Sequence, residues 1–173
     1  ARALDVHVFE DKAGVMGRMA LDLGNAYQKT GILPGNNTVF YGLLLHHMSK
    51  PFGESWLKDL KAEALRDTIA YLDDRSAALS RTDMTCLDAA LIRYEYAMGV
   101  AMARFACELG IARAEAGGVE PSKLPETERA RLAATLRPMI PAFRQLWLMR
   151  NRSGGLKGST GHMEALLAAL EQR

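Results

Sequence analysis

The sequence predicts an all-α protein, an antiparallel bundle of about five to six helices with one long central helix. Apolar residues recur at intervals of three and four along most of the chain, which is the spacing of one helix face. Glycine and proline clusters separate these segments by short connections, and short connections favour antiparallel neighbours. No stretch of alternating apolar and polar residues is long enough to form a β-sheet.

The composition is that of a globular, water-soluble domain. The 173 residues are 49% hydrophobic and 24% charged, which suits one domain with a substantial core. The 22 basic and 20 acidic residues are interspersed, so no concentrated positive field is available for nucleic acid. The most apolar long stretch, residues 87–112, is interrupted by Arg93, Glu95, Arg104 and Glu108 and does not suit a transmembrane span. We expect no nucleic acid and no membrane as partner, and a cytoplasmic location.

The first ten residues, ARALDVHVFE, alternate weakly in hydrophobicity and are compatible with an extended segment. They are too few to form a sheet without partners. We expect residues 1–10 to be a lead-in from a preceding domain and residues 11–173 to form a single helical domain. The chain opens on Ala1 and has no secretory start, so we expect residue 1 to lie inside a longer protein.

Two helices are predicted before residue 50. In residues 11–29 the apolar face consists of Val15, Met16, Met19, Leu23 and Tyr27. Gly31, Pro34 and Gly35 then break the pattern, and Thr38 is suited to capping a second helix over residues 38–48.

Two longer helices follow. The first covers approximately residues 57–79, and the second is the central helix over residues 84–116, with Thr82 or Asp83 as its N-cap. The face of the central helix consists of Leu87, Leu91, Tyr94, Met98, Ala101, Phe105, Leu109 and Ala112. The two glycines at 117–118 end it.

A fifth helix is predicted over residues 126–150, and a short closing helix presents Met163, Leu166, Leu167 and Leu170. Pro138 and Pro141 each remove a backbone donor inside the fifth helix, so we expect a kink or a new first turn near Pro138. Trp147 resumes the apolar face beyond the prolines. We interpret Trp147 as a structural anchor, and if its ring is buried between helices its replacement by alanine should cost about 3–5 kcal/mol.

Side chains that could carry chemistry are scattered. His46 and His47 lie in an apolar helix without acidic neighbours, which favours packing or a helix-end contact over metal ligation. Asp73 and Asp74 point about 100° apart on a helix and do not face one substrate. The two cysteines are too far apart along the chain's helical pattern to bridge. We expect no catalytic residue, no metal and no cofactor.

The segment after the fifth helix is the candidate interface. Arg150, Asn151 and Arg152 place a fork of donors next to the glycines at 154–155, and such a fork suits a carboxylate or a carbonyl on another surface. Two arginines at a helix end also complement the negative end of the helix dipole. Both interpretations stay open.

Two stretches resemble one known domain. LDLGNAYQKTGILPGNNTVFYGLLL at residues 21–45 and FRQLWLMRNRSGGLKGSTGHMEALL at residues 143–167 are similar to the C-terminal helical domain of a bacterial group of family 20 glycoside hydrolases. In that family an α/β domain and a β/α barrel precede the helical domain. The barrel removes terminal N-acetylhexosamine residues with an adjacent Asp-Glu pair. The chain departs from the family in Pro138, Pro141 and Ser153.

The resemblance implies a chain that is not an enzyme by itself, because no Asp-Glu dipeptide occurs in it. The first functional hypothesis is a non-catalytic domain of a β-N-acetylhexosaminidase-like enzyme, whose catalytic barrel is absent from this chain. Its partners would be the barrel of the same parent polypeptide and, in a homodimer, a second copy. The alternative is an independent helical module that binds an apolar ligand or a partner helix between its methionine-rich faces. The alternative predicts a sizeable apolar cavity.

Overall fold

The computed structural model describes residues 1–33, 35–45 and 50–172, and these residues form an all-α fold. The α-helices are α1 (Arg2–Leu4), α2 (Met16–Gly24), α3 (Val39–Leu44), α4 (Ala62–Ser76), α5 (Ala89–Glu115), α6 (Glu126–Arg150) and α7 (Leu156–Glu171). Within the described ranges, the only extended pairing is a single bridge between Asp11 and Met84. The predicted fold class, with one long central helix, is confirmed.

Ion pairs between neighbouring helices define the direction in which each helix runs. The pairs are Arg66–Glu115 and Asp73–Arg104 between α4 and α5, Glu108–Arg131 and Glu95–Arg150 between α5 and α6, and Arg137–Glu171 and Arg144–Glu164 between α6 and α7. In each case the residue numbers rise on one helix while they fall on its neighbour. Helices α4 to α7 are therefore consecutive antiparallel neighbours. These pairs are partly exposed, so they contribute little to stability.

Two apolar clusters lie between the helices. The larger cluster contains buried residues from each of the helices α3, α4, α5, α6 and α7. They include Leu43, Leu65, Phe105, Leu109, Leu132, Leu136 and Leu166. The smaller cluster consists of Phe9, Met16, Met19, Met84 and Ile92. Burying each of these large side chains contributes about 1.5–3 kcal/mol. Half of the predicted central face is buried, namely Met98, Phe105, Leu109 and Ala112, whereas Tyr94 and Ala101 are exposed. Leu87 is fully exposed and lies before α5 begins.

The first ten residues are helical, so the extended conformation suggested by their alternation is wrong. Arg2–Leu4 continues into a π-helical turn over Asp5–Phe9. Asp5 and Phe9 are buried at a spacing of four, whereas Val6 and Val8 are exposed. The carboxylate of Asp5 accepts a hydrogen bond from the backbone N–H of Gly17 at 2.6 Å. The lead-in therefore packs against α2.

Helices α2 and α4 are shorter than predicted, and the predicted end of α3 lies outside the described residues. Helix α2 ends at Gly24, and a 3-10 turn over Ala26–Thr30 follows it. Thr38 caps α3 as predicted, because its hydroxyl accepts from the N–H of Tyr41 at 3.2 Å. The predicted positions of His46 and His47 lie outside the described residues.

The central helix begins at Ala89, so the prediction of Thr82 or Asp83 as its N-cap is wrong. The backbone N–H of Asp83 donates to Asp11 Oδ1 at 2.6 Å, and Met84 forms the bridge with Asp11. These contacts hold the segment before α5 in an extended conformation. Residues next to it in the sequence do not predict this conformation, because Asp11 is distant in the sequence. Helix α5 begins at Ala89, after the residues that contact Asp11.

Helix α6 is continuous across Pro138 and Pro141, so of the two predicted alternatives the new first turn near Pro138 is wrong and the kink stays a prediction. The two prolines leave the carbonyls of Ala134 and Arg137 without their intrahelical donors. All four of these residues are exposed. Water can therefore bind the freed carbonyls, and the helix need not break.

Candidate functional site

The predicted interface lies on the segment 147–155, which we name the α6 exit. Asn151 caps the last turn of α6 within this segment. The backbone N–H and Nδ2 of Asn151 donate to the carbonyl of Trp147 at 2.8 and 3.2 Å. The last carbonyls of a helix lack internal partners, so this residue satisfies one of them twice. Asn151 is thus occupied in ending the helix.

Trp147 links the end of α6 to the turn that follows. Its indole Nε1 donates to the carbonyl of Arg152 at 3.0 Å, and its ring centroid lies 6.1 Å from that of Phe143. Gly155, which has a φ of 83°, lies against the ring at the start of α7. The ring is half-buried, so the condition for the larger stability cost, a ring buried between helices, is met only in part.

Arg150 points back toward α5 of the same chain, and its side chain stays partly exposed. Its Nε and Nη2 donate to the two carboxylate oxygens of Glu95 at 2.7 and 2.8 Å, and its Nη1 donates to Asp88. The hydrogen bond from Arg150 holds the pKa of Asp88 below its ordinary value, and the two carboxylates raise the pKa of Arg150. All three guanidinium nitrogens have partners within the chain. We name this group the Arg150 clamp.

Arg152 lies on the outside of the α6 exit. Its side chain is exposed and makes no ion pair with any residue in the described ranges. Two apolar side chains precede it, Leu148 at 53% and Met149 at 60% exposure. The three predicted interface residues therefore separate into an inward clamp, a helix cap and one outward cation.

A buried arginine, Arg113, was not singled out by the sequence. Its Nε donates to the carbonyl of Val119 at 2.8 Å, and its Nη2 donates to the carbonyl of Lys50 at 2.5 Å. Its guanidinium carbon lies 4.3 Å from the ring centroid of Phe52. Burial lowers the pKa of Arg113 to about 10. The side chain holds two connections together at the end of α5, and no binding role follows from it.

A cavity of about 330 Å³ lies between α2, α3, α4 and α5. Its apolar lining includes Leu23, Phe40, Leu72, Tyr96, Gly99 and Ala103. Glu95 of the Arg150 clamp stands at its edge. We name it the α5 cavity.

A second cavity, of about 350 Å³, lies where the two family-like stretches meet. Leu45 from residues 21–45 lines it together with Phe143, His162 and Met163 from residues 143–167. Met163 is buried, whereas His162 is exposed at the opening. The two stretches are therefore in contact in the fold, although they are far apart in the sequence.

Within the described part of the chain, no three His, Cys, Asp or Glu side chains gather in a way that could hold a metal ion. Cys107 is buried, and burial raises the pKa of its thiol to about 12. None of the helices formed by the described residues has both the length and the apolar character needed to cross a bilayer. Comparisons with protein-family models, with curated proteins and with solved structures find no match to this chain.

Proposed function

We propose that this chain is the non-catalytic C-terminal helical domain of a β-N-acetylhexosaminidase-like family 20 glycoside hydrolase. Its role is to brace the catalytic barrel of the same polypeptide or to mediate a homodimer. The contact between the two family-like stretches carries the proposal. Leu43 and Leu44 of residues 21–45 belong to the same buried cluster as Met163 and Leu166 of residues 143–167. Two stretches that resemble one domain thus pack as parts of one domain.

The α6 exit is the proposed docking edge for the barrel. Arg152 supplies a cation without a partner among the described residues, and Leu148 and Met149 supply exposed apolar surface beside it in the sequence. Interfaces combine buried apolar anchors with directional arginine contacts. The Arg150 clamp fixes the end of α6 on α5, so the edge is held in place before any partner binds.

The docking role is tested in the native polypeptide that contains this sequence. The variant Leu148→Ala/Arg152→Ala removes the apolar side chain and the outward cation while it leaves the Arg150 clamp intact. The matched control, Leu33→Ala/Lys12→Ala, removes an exposed leucine and an exposed lysine elsewhere on the domain. One measurement is the rate at which a protease cleaves the connection between barrel and domain. The other is the enzymatic activity, followed as release of nitrophenol from a nitrophenyl N-acetylhexosaminide.

We expect the docking variant to be cleaved about tenfold faster between the two domains, because weaker docking exposes the connection. The control should be cleaved at the rate of the unchanged protein. If the docking variant matches the control in cleavage, activity and subunit mass, the α6 exit does not contact the barrel or a second subunit.

The alternative function is an independent helical binding module for an apolar ligand or a partner helix. The observation that favours the apolar-ligand form of this alternative is the α5 cavity, because such a module needs a concave apolar site. A native polypeptide without a barrel, together with saturable binding of an apolar ligand, would favour this alternative over the first proposal.

A further inference from the structure

We propose that the α5 cavity is a binding site for a neutral, apolar small molecule of one or two rings. This site goes beyond the bracing role, because no part of the docking edge lines it. It is compatible with either proposed function.

The size of the α5 cavity defines the class of ligand. Its volume of about 330 Å³ is at the lower end of the range of small-molecule sites, roughly 300–1,000 Å³. A helix of a partner protein is about 10 Å across with its side chains and does not fit into such a volume. A single aromatic or aliphatic ring system does fit.

The charges around the cavity determine that the ligand is neutral. Among the described residues that line it, Glu95 is the single charged side chain, and both of its carboxylate oxygens accept hydrogen bonds from Arg150. A cationic ligand would therefore compete with Arg150 for this carboxylate, and an anionic ligand would be repelled by it. An apolar ligand leaves the clamp undisturbed.

The remaining lining is apolar, with one polar group. Leu23, Phe40 and Leu72 approach from three different helices, so a ligand would contact side chains on several sides. Tyr96 lies edge-on to Phe9, with ring centroids 6.2 Å apart. Burial, and to a lesser extent the charge of Glu95, raises the pKa of Tyr96, so its hydroxyl stays neutral at physiological pH. Tyr96 thus brings a neutral hydrogen-bonding group to the described part of the lining.

Gly99 is an exposed glycine in the lining of the cavity. It lies in the interior of α5, where glycine weakens a helix and has no turn to form. A Cβ atom at Gly99 would meet no heavy atom within 4 Å. Space for a side chain is therefore present at this position, and a larger residue there would occupy the site from the helix itself.

The test is a titration of the isotope-labelled 173-residue chain with indole, followed by two-dimensional NMR. We expect saturable one-site binding, with shift changes centred on residues 96–103. Indole-3-acetate and tryptamine, the anionic and cationic relatives of indole, should bind at least about tenfold more weakly because each brings an unpaired charge to Glu95 and Arg150.

Two glycine variants provide the matched comparison. Gly99→Leu fills the cavity and should weaken indole binding at least about tenfold. Gly161→Leu places the same side chain in α7, at a helical glycine that also has open space around its Cβ and does not line the cavity. This control should bind indole like the unchanged chain. If Gly99→Leu fails to fold by circular dichroism, Ala103→Val serves as the smaller filling variant and should weaken binding severalfold.

Three results would overturn the site. They are the absence of saturable binding up to the solubility of indole, equal affinity in the filled and control variants, and binding that weakens as protein concentration rises. The last result would mean that a second copy of the chain occupies the cavity. None of these results bears on barrel docking, which the α6 exit variants test separately.

Discussion

At the residue scale, one carboxylate ties the N-terminal segment to the rest of the fold. Asp11 is 6% exposed, and its Oδ1 accepts from the backbone N–H groups of Ala13 and Asp83. Its Oδ2 accepts from those of Val15 and Met16. Burial alone raises the pKa of Asp11, but the four backbone donors outweigh it and leave the pKa below its ordinary value.

Asp11→Ala should therefore lower the free energy of unfolding by about 2–4 kcal/mol, because it leaves buried backbone donors without their acceptor. Asp11→Asn should cost less, since the amide oxygen still accepts some of these bonds. Urea denaturation at neutral pH measures both values. A loss below about 0.5 kcal/mol for Asp11→Ala would mean that water replaces the carboxylate.

The lowered pKa of Asp11 also predicts the direction of a pH effect. The ionised carboxylate is favoured in the folded state, so its contribution is complete above its unfolded-state pKa of about 4. The contribution is lost as pH falls through the lower folded-state pKa. Denaturation between pH 2 and 7 should show a steeper loss for the unchanged chain than for Asp11→Asn, and parallel curves would contradict this assignment.

Trp147 should contribute through both its ring and its hydrogen bond. Because the ring is half-buried, Trp147→Ala should cost about 2 kcal/mol, less than the 3–5 kcal/mol typical of a fully buried tryptophan. Trp147→Phe should lose about 1 kcal/mol, since it removes the donor to the carbonyl of Arg152. Denaturant unfolding measures both variants. An unchanged stability for Trp147→Ala would assign the ring to a partner surface.

Residue types at the candidate site could be predicted from the sequence, but their partners could not. The basic exit at Arg150 and Arg152 is visible as a local pattern. The pairing of Arg150 with Asp88 and Glu95 depends on the register between two antiparallel helices, which no local pattern specifies. The burial of Arg113 could not be predicted either. In the sequence alone, a buried arginine on an apolar helix looks the same as an arginine whose side chain is in water.

At the scale of elements, glycine and proline positions predicted helix ends better than they predicted helix interiors. The bounds of α6 match the prediction because acidic residues follow Pro125 at its start and the glycines at 154–155 follow its end. The start of α5 was missed because Asp11, distant in sequence, holds Asp83 outside the helix. Tertiary contacts therefore decided the boundary where local signals were weak.

Pro138→Ala tests the explanation for the continuous helix. The substitution restores a backbone donor to the carbonyl of Ala134, and it removes no buried contact because Pro138 is exposed. We expect stabilisation by about 1 kcal/mol, since the gain in helix propensity is partly offset by a more flexible unfolded chain. Thermal unfolding measures it. A clear loss of stability would show that the proline shapes α6 in a way that the fold requires.

The Arg150 clamp and Arg152 should behave differently in the isolated chain. Arg150→Ala removes three hydrogen bonds between α6 and α5, so amide hydrogen exchange in residues 146–150 should accelerate. Arg152→Ala removes a side chain without an ion pair in the described residues, so exchange there should not change. Equal effects of the two variants would contradict the division of the exit into an inward and an outward arginine.

At the scale of the whole molecule, the helical periodicity was sufficient to predict the fold class, and the family-like stretches supply the functional proposal. The periodicity determines which face of each helix is apolar, so it predicts a bundle but not the order in which helices contact each other. The ion pairs along α4 to α7 supply that order. Residues 21–45 and 143–167 come together through apolar packing, because Leu43 and Leu44 share one buried cluster with Met163 and Leu166.

The most direct test of the proposed function is the sequence of the native polypeptide that contains this chain, obtained by intact mass and peptide sequencing. We expect a β/α barrel preceding residue 1, with an adjacent Asp-Glu pair, in a polypeptide that releases terminal N-acetylhexosamine. A native polypeptide that carries these helices without any such barrel would contradict this expectation.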